Sequence, residues 1–317
     1  MQSPITPFLK ETILLLAAKR TMWRKEGHVI DTLVIGSSHG DFGFNPALFP
    51  KSFNLCFRSQ DLKHSFHLLE KLSAAHPNIK NVVLFYSSFS SGHLMELSPT
   101  EKVISPPMSE IFGLDLDYED DELQKIAQFI KGELNEISVD IEGVCGFFPG
   151  SGKGFMPENY SVEKRANEHL RRNQSTAANV YLSKLLDLAA KQKQRVCIVI
   201  PPARTDYKKA IGVDSSELYK SLFDLLSARD QGENITVVNC YDDSRFVDSY
   251  FGDYDHLHPT GPGVELLTKS VLKEMGGGQP SFYSSSINMG SAVIPLIGNP
   301  LTASSYGIAG YVPSFKK

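Results

Sequence analysis

Two short stretches of this chain carry residue types suited to acyl-transfer chemistry. The first, "DTLVIGSSHGDFGFNP" (31–46), ends an apolar run in glycine and then places two serines, a histidine and a glycine before a helical pattern resumes. The second, "FGDYDHLHPTGPGVELL" (251–267), repeats Asp and His at a three-residue spacing. A carboxylate can fix an imidazole tautomer so that the other ring nitrogen takes a proton from a serine. Together the stretches predict a nucleophilic serine assisted by a His/Asp pair.

The elements that must position these stretches follow an α/β pattern. Apolar, strand-like runs at 33–35, 52–57, 81–92 (a strand that runs into a serine-rich loop), 195–203 and 235–240 alternate with helical periodicity at 61–76, 179–194, 215–229 and 262–275. This order with short connections predicts a parallel, helix-covered sheet. We expect one domain over 1–275, with a polar insertion or cap at about 97–176 and an uncharged, Gly/Ser-rich extension at 276–317 that packs on the body or on a partner.

Composition narrows the class of protein. The 317 residues include 32 basic and 36 acidic side chains, for a net charge of −4, so no strong field indicates a nucleic-acid or anionic-membrane binder. The N-terminal apolar stretch is too short for a transmembrane segment and lacks a cleavage site, which predicts an amphipathic helix and a cytoplasmic protein. Four widely spaced cysteines lack zinc-ligand spacing, so we expect reduced thiols and neither metal nor other cofactor.

The two stretches resemble the blocks of the SGNH, or GDSL, hydrolase superfamily, which contains esterases, lipases and carbohydrate O-acyl or deacyl enzymes. The resemblance implies a flavodoxin-like three-layer sandwich with a central parallel sheet. It makes Ser38 the nucleophile, with Ser37 standing where the family usually has aspartate. It also places Ser59, in "FNLCFRSQ", where a glycine of the family donates its N–H to the oxyanion.

The third block departs from the family. After its third strand the chain has "YSSFSSG", without the asparagine whose side chain serves the oxyanion hole. Either a hydroxyl of Ser87, Ser88 or Ser90 replaces it, or the hole consists of the Ser38 and Ser59 amides alone. Losing one such donor typically costs about 10² to 10³ in rate.

The segment after the fourth strand offers further candidates. In "PPARTDY" (201–207), Arg204 and Tyr207 could contact a sugar or a carboxylate at the carboxyl edge of the sheet, or the two prolines simply end the strand. Together "GSSHG", "SFSSG" and "VIPPARTDY" look like the divergent branch linked to bacterial surface-polysaccharide biosynthesis.

The D-x-x-H block can be aligned in two registers. Asp253 with His256 and Asp255 with His258 both fit, and each histidine has a glycine five residues later. In the family, the residues three and four beyond that glycine pack on the sheet, and the first register would place Glu265 there. Because burying an unpaired carboxylate is costly, Asp255 with His258 is preferred.

The remaining histidines have less specific interpretations. His39 is interpreted as a loop residue that shapes the pocket. His64, His67 and His76 fall in or beside a surface helix, where solvated or half-buried imidazoles are usual.

The sequence therefore predicts a serine-dependent esterase or O-acyltransferase that acts on an acyl ester of a carbohydrate or surface polysaccharide through an acyl-enzyme. The alternative is a non-catalytic carbohydrate-binding or scaffold protein on the same fold. Hydrolysis and transfer are not separated by the sequence, and the oligomeric state is left open.

Overall fold

A computed structural model describes residues 6–133, 139, 141–150, 155–157, 159–229 and 234–275, and the predicted extension at 276–317 lies outside them. The described residues form five strands and eleven α-helices. The strands are β1 (Thr32–Gly36), β2 (Ser52–Asn54), β3 (Asn81–Phe85), β4 (Arg195–Ile200) and β5 (Ile235–Asn239). The helices are α1 (Pro7–Glu26), α2 (Ser38–Gly43), α3 (Leu62–Ala75), α4 (Ser105–Phe112), α5 (Asp121–Glu133), α6 (Val162–Asn173), α7 (Asn179–Lys191), α8 (Thr205–Ile211), α9 (Ser215–Leu218), α10 (Lys220–Ser227) and α11 (Pro262–Glu274).

All strand pairs in the sheet are parallel, in the order β2-β1-β3-β4-β5. This is the strand order of flavodoxin-like folds, and it confirms the predicted α/β class. Parallel pairing aligns the carboxyl ends of the strands, so Gly36 at the end of β1 lies opposite Phe85 at the end of β3. The loops that follow the strands therefore meet along one edge of the sheet.

Strand side chains alternate between two apolar layers because successive residues point to opposite faces. Leu33 and Ile35 belong to the layer covered by α1, α3 and α7, whereas Val34 belongs to the layer covered by α11. Within α11 the buried positions include Val264 and Leu267, which lie three residues apart on one helical face. The result is a helix–sheet–helix sandwich.

Two helical segments differ from the sequence predictions. β4 ends just before the two prolines at 201 and 202, and the helix α8 that begins at Thr205 is not among the predicted helices. The single helix expected over 215–229 is interrupted at Tyr219, whose ring is buried against Tyr86 and Tyr241. In the described ranges, no helix is both long and apolar enough to cross a bilayer.

A buried lysine joins separate parts of the chain. The Lys19 ammonium on α1 is 1% exposed and donates to Asp41 Oδ1 at 3.0 Å, to the Asn54 carbonyl at 3.0 Å and to the Gly146 carbonyl at 2.6 Å. Because a buried charge is tolerated only when it is paired and hydrogen-bonded, these contacts fix α1 against α2, the end of β2 and the segment between β3 and β4, which is called here the insertion.

Glycines permit a close approach where β1 turns into α2. Gly36 has φ +129°, and a Cβ there would lie 2.7 Å from the Phe85 carbonyl oxygen. A Cβ on Gly40 would lie 2.4 Å from Cys56 Sγ and 2.6 Å from the Phe85 ring. The turn that carries Ser38 thus packs directly on the end of β3.

Gly40→Ala is expected to lower the free energy of unfolding by about 1–3 kcal/mol, because the methyl group overpacks the α2 site. The matched control is Gly132→Ala on α5, where nothing lies within 4 Å of the added Cβ. That variant is expected to gain about 0.5 kcal/mol from reduced freedom of the unfolded chain. Urea unfolding measures both, and equal stability of the two variants would contradict the tight turn.

Candidate active site

Two loops at the carboxyl edge of the sheet carry the candidate catalytic groups. Ser38 is the first residue of α2, two residues after the end of β1. The second loop, residues 252–258, lies between β5 and α11 and is called here the histidine loop. An antiparallel bridge between Phe251 and Leu257 closes its base, and the Gly252 N–H donates to the His256 carbonyl at 2.9 Å. This closure turns the residues between them inward.

Asp253 organises the histidine loop. Its Oδ1 accepts hydrogen bonds from the N–H groups of Asp255 at 3.1 Å and His256 at 2.8 Å. Both of its carboxylate oxygens also lie 3.0 Å from His256 Nδ1. A short acidic side chain that bonds the backbone two residues on is a common turn-former, so the local sequence itself pre-organises this carboxylate.

His256 faces the serine. Its Nε2 lies 2.8 Å from Ser38 Oγ, and its Nδ1 faces Asp253. With the ring proton on Nδ1, Nε2 accepts the Ser38 hydroxyl proton, which is the geometry of a general base beside a nucleophile. The rings of Phe42 and His256 lie 4.8 Å apart, and Phe155 from the insertion lies 5.1 Å from Phe42.

The register preferred from the sequence does not form. The His258 side chain is exposed, and its Nδ1 contacts Thr260 Oγ1 at 3.0 Å rather than Ser38. Burial of Glu265 is the feature that would count against Asp253 with His256. In α11 the buried face repeats every three or four residues, so Glu265 is exposed and pairs with Lys269.

The charged groups around His256 raise its pKa. Burial disfavours the charged imidazole, but the nearby carboxylates of Asp253 and Asp255 outweigh it and raise the pKa of His256. Burial would raise the pKa of Asp253, yet the attraction to His256 lowers it. Asp253 is therefore ionised near neutral pH and holds the imidazole in one orientation.

Asp255, predicted to pair with His258, instead contacts a different set of groups. Its Oδ2 lies 3.2 Å from His39 Nε2, 3.3 Å from Arg165 Nη2 and 3.8 Å from His169 Nδ1. Although burial opposes ionisation, Arg165 and then His256 hold the pKa of Asp255 well below its usual range. Asp255 is thus a buried, ionised carboxylate beside the Ser38 site.

Ser59 has the backbone conformation that favours glycine, with φ +57°. Its hydroxyl donates to Glu101 at 2.7 Å, and its carbonyl accepts from His93 Nε2 at 3.1 Å. Glu101 is held in turn by Arg172 at 2.9 Å. No acceptor for the Ser59 N–H is found in the part of the chain that the structure describes.

Ser88 and Tyr207 contact each other, and both side chains are buried. Ser88 Oγ lies 3.0 Å from the Tyr207 hydroxyl, and His169 Nδ1 lies within 3.2 Å of both. Arg204 lies apart from them, because its guanidinium pairs with Asp206 and covers the Tyr254 ring at 5.0 Å. Arg204 therefore contacts the histidine loop only through Tyr254.

Asp61, His64 and Ser105 form a second hydrogen-bonded series of Ser, His and Asp, called here the Ser105 chain. His64 is therefore not the solvated or half-buried imidazole that the sequence predicts. His64 is fully buried, with Asp61 Oδ1 2.7 Å from its Nδ1 and Ser105 Oγ 2.7 Å from its Nε2. Ser105 is itself 0% exposed, whereas Ser38 is partly exposed. No substrate can reach Ser105, so this chain joins α3 to α4 and offers no nucleophile.

The site includes one trio with metal-ligand spacing. One ligand atom from each of His39, Asp255 and His256 lies within 4.8 Å of the others. The Arg165 guanidinium already neutralises the carboxylate, and His256 Nε2 already contacts Ser38. The ligand atoms of this trio thus already take part in the hydrogen bonds and ion pairs of the proposed proton-transfer site.

Sequence reasoning missed the contribution of α6. Arg165 and His169 are four residues apart and share one helical face, a spacing visible in "EKRANEHLRR". Nothing in the sequence indicates that this face lies over the histidine loop. The sequence likewise gives no indication that Phe155 contacts the histidine loop. Its ring packs so closely on Gly252 that a Cβ added to Gly252 would lie 2.2 Å from the ring.

Comparisons with known proteins assign no family to this chain. No family model matches the chain, and no curated protein matches it. Solved structures that match include one described as "The structure of a putative platelet activating factor from Streptococcus pneumonia". It is 16% identical, with a TM-score of 0.42, over 84% of this chain and 93% of that chain.

The two registers can be separated by single substitutions. His256→Ala should abolish the reaction of Ser38 with an active-site-directed phosphonate, because the base is removed. His258→Ala should react within about twofold of the unmodified protein, since the His258 side chain is exposed and does not contact Ser38. Intact-mass measurement of adduct formation reports both, and the reverse pattern would refute the assignment.

The raised pKa of His256 predicts a pH dependence. A general base must be neutral, so the rate constant for phosphonylation of Ser38 should fall as the pH drops through that pKa. The half-maximal rate is expected above pH 6.5, the ordinary value for histidine. A midpoint below pH 6.5 in a pH series of adduct formation would contradict the role of the two carboxylates.

Proposed function

We propose that the protein is a serine-dependent esterase or O-acyltransferase that works through a covalent acyl-enzyme. The observation that carries the proposal is the linear set Ser38 Oγ, His256 and Asp253, with contacts of 2.8 Å and 3.0 Å. The set lies at the carboxyl edge of a parallel sheet, where open α/β proteins bind ligands. Its serine is partly exposed, unlike that of the buried Ser105 chain.

In the proposed reaction, His256 takes the Ser38 proton as Oγ attacks the acyl carbonyl carbon. The tetrahedral intermediate collapses when the bond to the alcohol oxygen breaks, and His256 gives its proton to that oxygen. Water or a second alcohol then attacks the acyl-enzyme, with its proton passing through His256 to Ser38. Asp253 keeps the imidazole oriented in both halves and stabilises its charged form.

For the oxyanion hole we favour the backbone amides of Ser38 and Ser59. As the first residue of α2, Ser38 has an N–H without an intrahelical acceptor, and Ser59 has the glycine-like conformation. The serines after β3 have other partners: Ser87 contacts His39, Ser88 contacts His169 and Ser90 accepts from the Ser87 N–H. Two amides suffice for a hole, although a third donor would add rate.

For the substrate we propose an ester of a carbohydrate. Arg165 supplies a polar group beside the triad, and the Phe42 ring next to His256, with the Phe155 ring against it, could pack on the apolar face of a sugar. The resemblance to the branch linked to surface-polysaccharide biosynthesis agrees with this choice.

A fluorophosphonate probe tests the proposal. It should add one adduct at Ser38 in the unmodified protein and none in Ser38→Ala. Ser105→Ala is the matched control, because it removes the serine of the other Ser–His–Asp chain and should label normally. A folded protein that neither labels nor releases acetate from p-nitrophenyl acetate or an acetylated oligosaccharide would instead favour a non-catalytic carbohydrate-binding protein.

A further inference from the structure

Adjacent residues on the two loops make parallel contacts. Ser38 contacts His256 at 2.8 Å, and the next residue, His39, contacts the preceding one, Asp255, at 3.2 Å. The imidazoles of His39 and His256 stack at 4.7 Å with an angle of 23°. Two hydrogen bonds and one ring stack therefore join the turn that carries Ser38 to the histidine loop. Of the two hydrogen bonds, only the one between Ser38 and His256 belongs to the triad.

The tautomer of His39 follows from its surroundings. Asp255 is ionised beside Arg165, so the ring proton lies on Nε2, which faces that carboxylate. Nδ1 then accepts from the Ser87 hydroxyl at 2.8 Å, and Ser37 Oγ lies 3.1 Å from Nδ1 and 2.8 Å from Ser87 Oγ. The His39 side chain is 4% exposed, and burial lowers its pKa, which keeps it neutral. His39 is thus fixed at both ring nitrogens.

Asp255 also faces the catalytic base directly. Its Oδ1 lies 3.6 Å from His256 Nδ1, and this oxygen has no hydrogen-bond partner among the residues described. When His256 takes the serine proton, the imidazolium lies between two carboxylates rather than one. At this distance an ionised group stabilises the imidazolium through the electrostatic field.

We propose that His39 and Asp255 are positioning residues of the catalytic pair: their hydrogen bond holds Ser38 against His256, and the Asp255 carboxylate stabilises His256 while it carries the serine proton. This inference rests on the proposed function. It assigns a role to Ser37 as well, because Ser37, at the position where the family usually has aspartate, holds Nδ1 of His39 together with Ser87.

Several charged or titratable groups surround His256. The histidine loop itself contributes the carboxylates of Asp253 and Asp255, and α2 contributes the neutral His39. From α6 come the Arg165 guanidinium, which opposes the protonation of His256, and His169, which contacts Asp255 and Tyr207 of α8. Of the two carboxylates, Asp255 is the one whose charge can be removed without losing an Nδ1 hydrogen bond of His256.

The test compares Asp255→Asn with the unmodified protein in fluorophosphonate labelling across pH. The acidic limb is the part of the pH profile in which the labelling rate constant falls as the pH drops. Removing the Asp255 charge should move the midpoint of this limb toward lower pH by about one unit or more, because the protonated His256 loses one of its carboxylates. The plateau rate should fall about tenfold. A purely structural effect would lower the plateau and the melting temperature but leave the limb in place.

Substitutions at His39 test the hydrogen bond separately. His39→Leu removes the donor to Asp255 and should slow labelling about 10²-fold, the cost of an ångström-scale misplacement. His39→Gln keeps an N–H at similar reach and should recover most of that loss. His64→Leu, which removes a buried histidine from the remote Ser105 chain, controls for lost packing and should leave the acidic limb unchanged.

An Asp255→Asn protein with an unshifted limb, or a His39→Leu protein that labels at the normal rate, would overturn the inference. Both results presuppose that Ser38 labels in the unmodified protein. Failure of that labelling would refute the proposed function instead, so the two failures are distinguishable.

Discussion

The hydrogen bond between Ser38 and His256 joins two loops that are 218 residues apart in sequence. It exists because the strands of a parallel sheet all end at one edge, so the loop after β1 and the loop after β5 meet there. Three features position the two loops against each other. Glycines let the β1 turn pack on β3, Asp253 folds the histidine loop inward, and His39 contacts Asp255 alongside the catalytic pair.

The insertion completes the site that the sheet begins. Its helix α6 brings Arg165 and His169 to the Asp255 carboxylate. Upstream of α6, the Met156 N–H donates to Asp253 Oδ2 at 3.1 Å, while the Phe155 ring packs on Gly252. Lys19 binds the Gly146 carbonyl and so ties the insertion to α1 and the sheet core. Packing of the insertion and orientation of the triad are therefore coupled.

Much of the fold could be predicted from the sequence because apolar runs and helical periodicity are local signals. The strands, the class and the position of Ser38 at a strand end follow from them. The choice between two overlapping D-x-x-H registers could not be predicted, since it depends on a two-residue bridge between Phe251 and Leu257 that no periodicity reveals. The docking of α6 and the burial of His64 are likewise tertiary facts.

A crystal structure of the protein after reaction with a phosphonate ester probe tests the central claim most directly. The account predicts phosphorus bonded to Ser38 Oγ, His256 Nε2 beside the leaving-group position, and the phosphoryl oxygen within hydrogen-bond distance of the Ser38 and Ser59 N–H groups. Phosphorus on any other residue, or His258 rather than His256 facing the adduct, would contradict it.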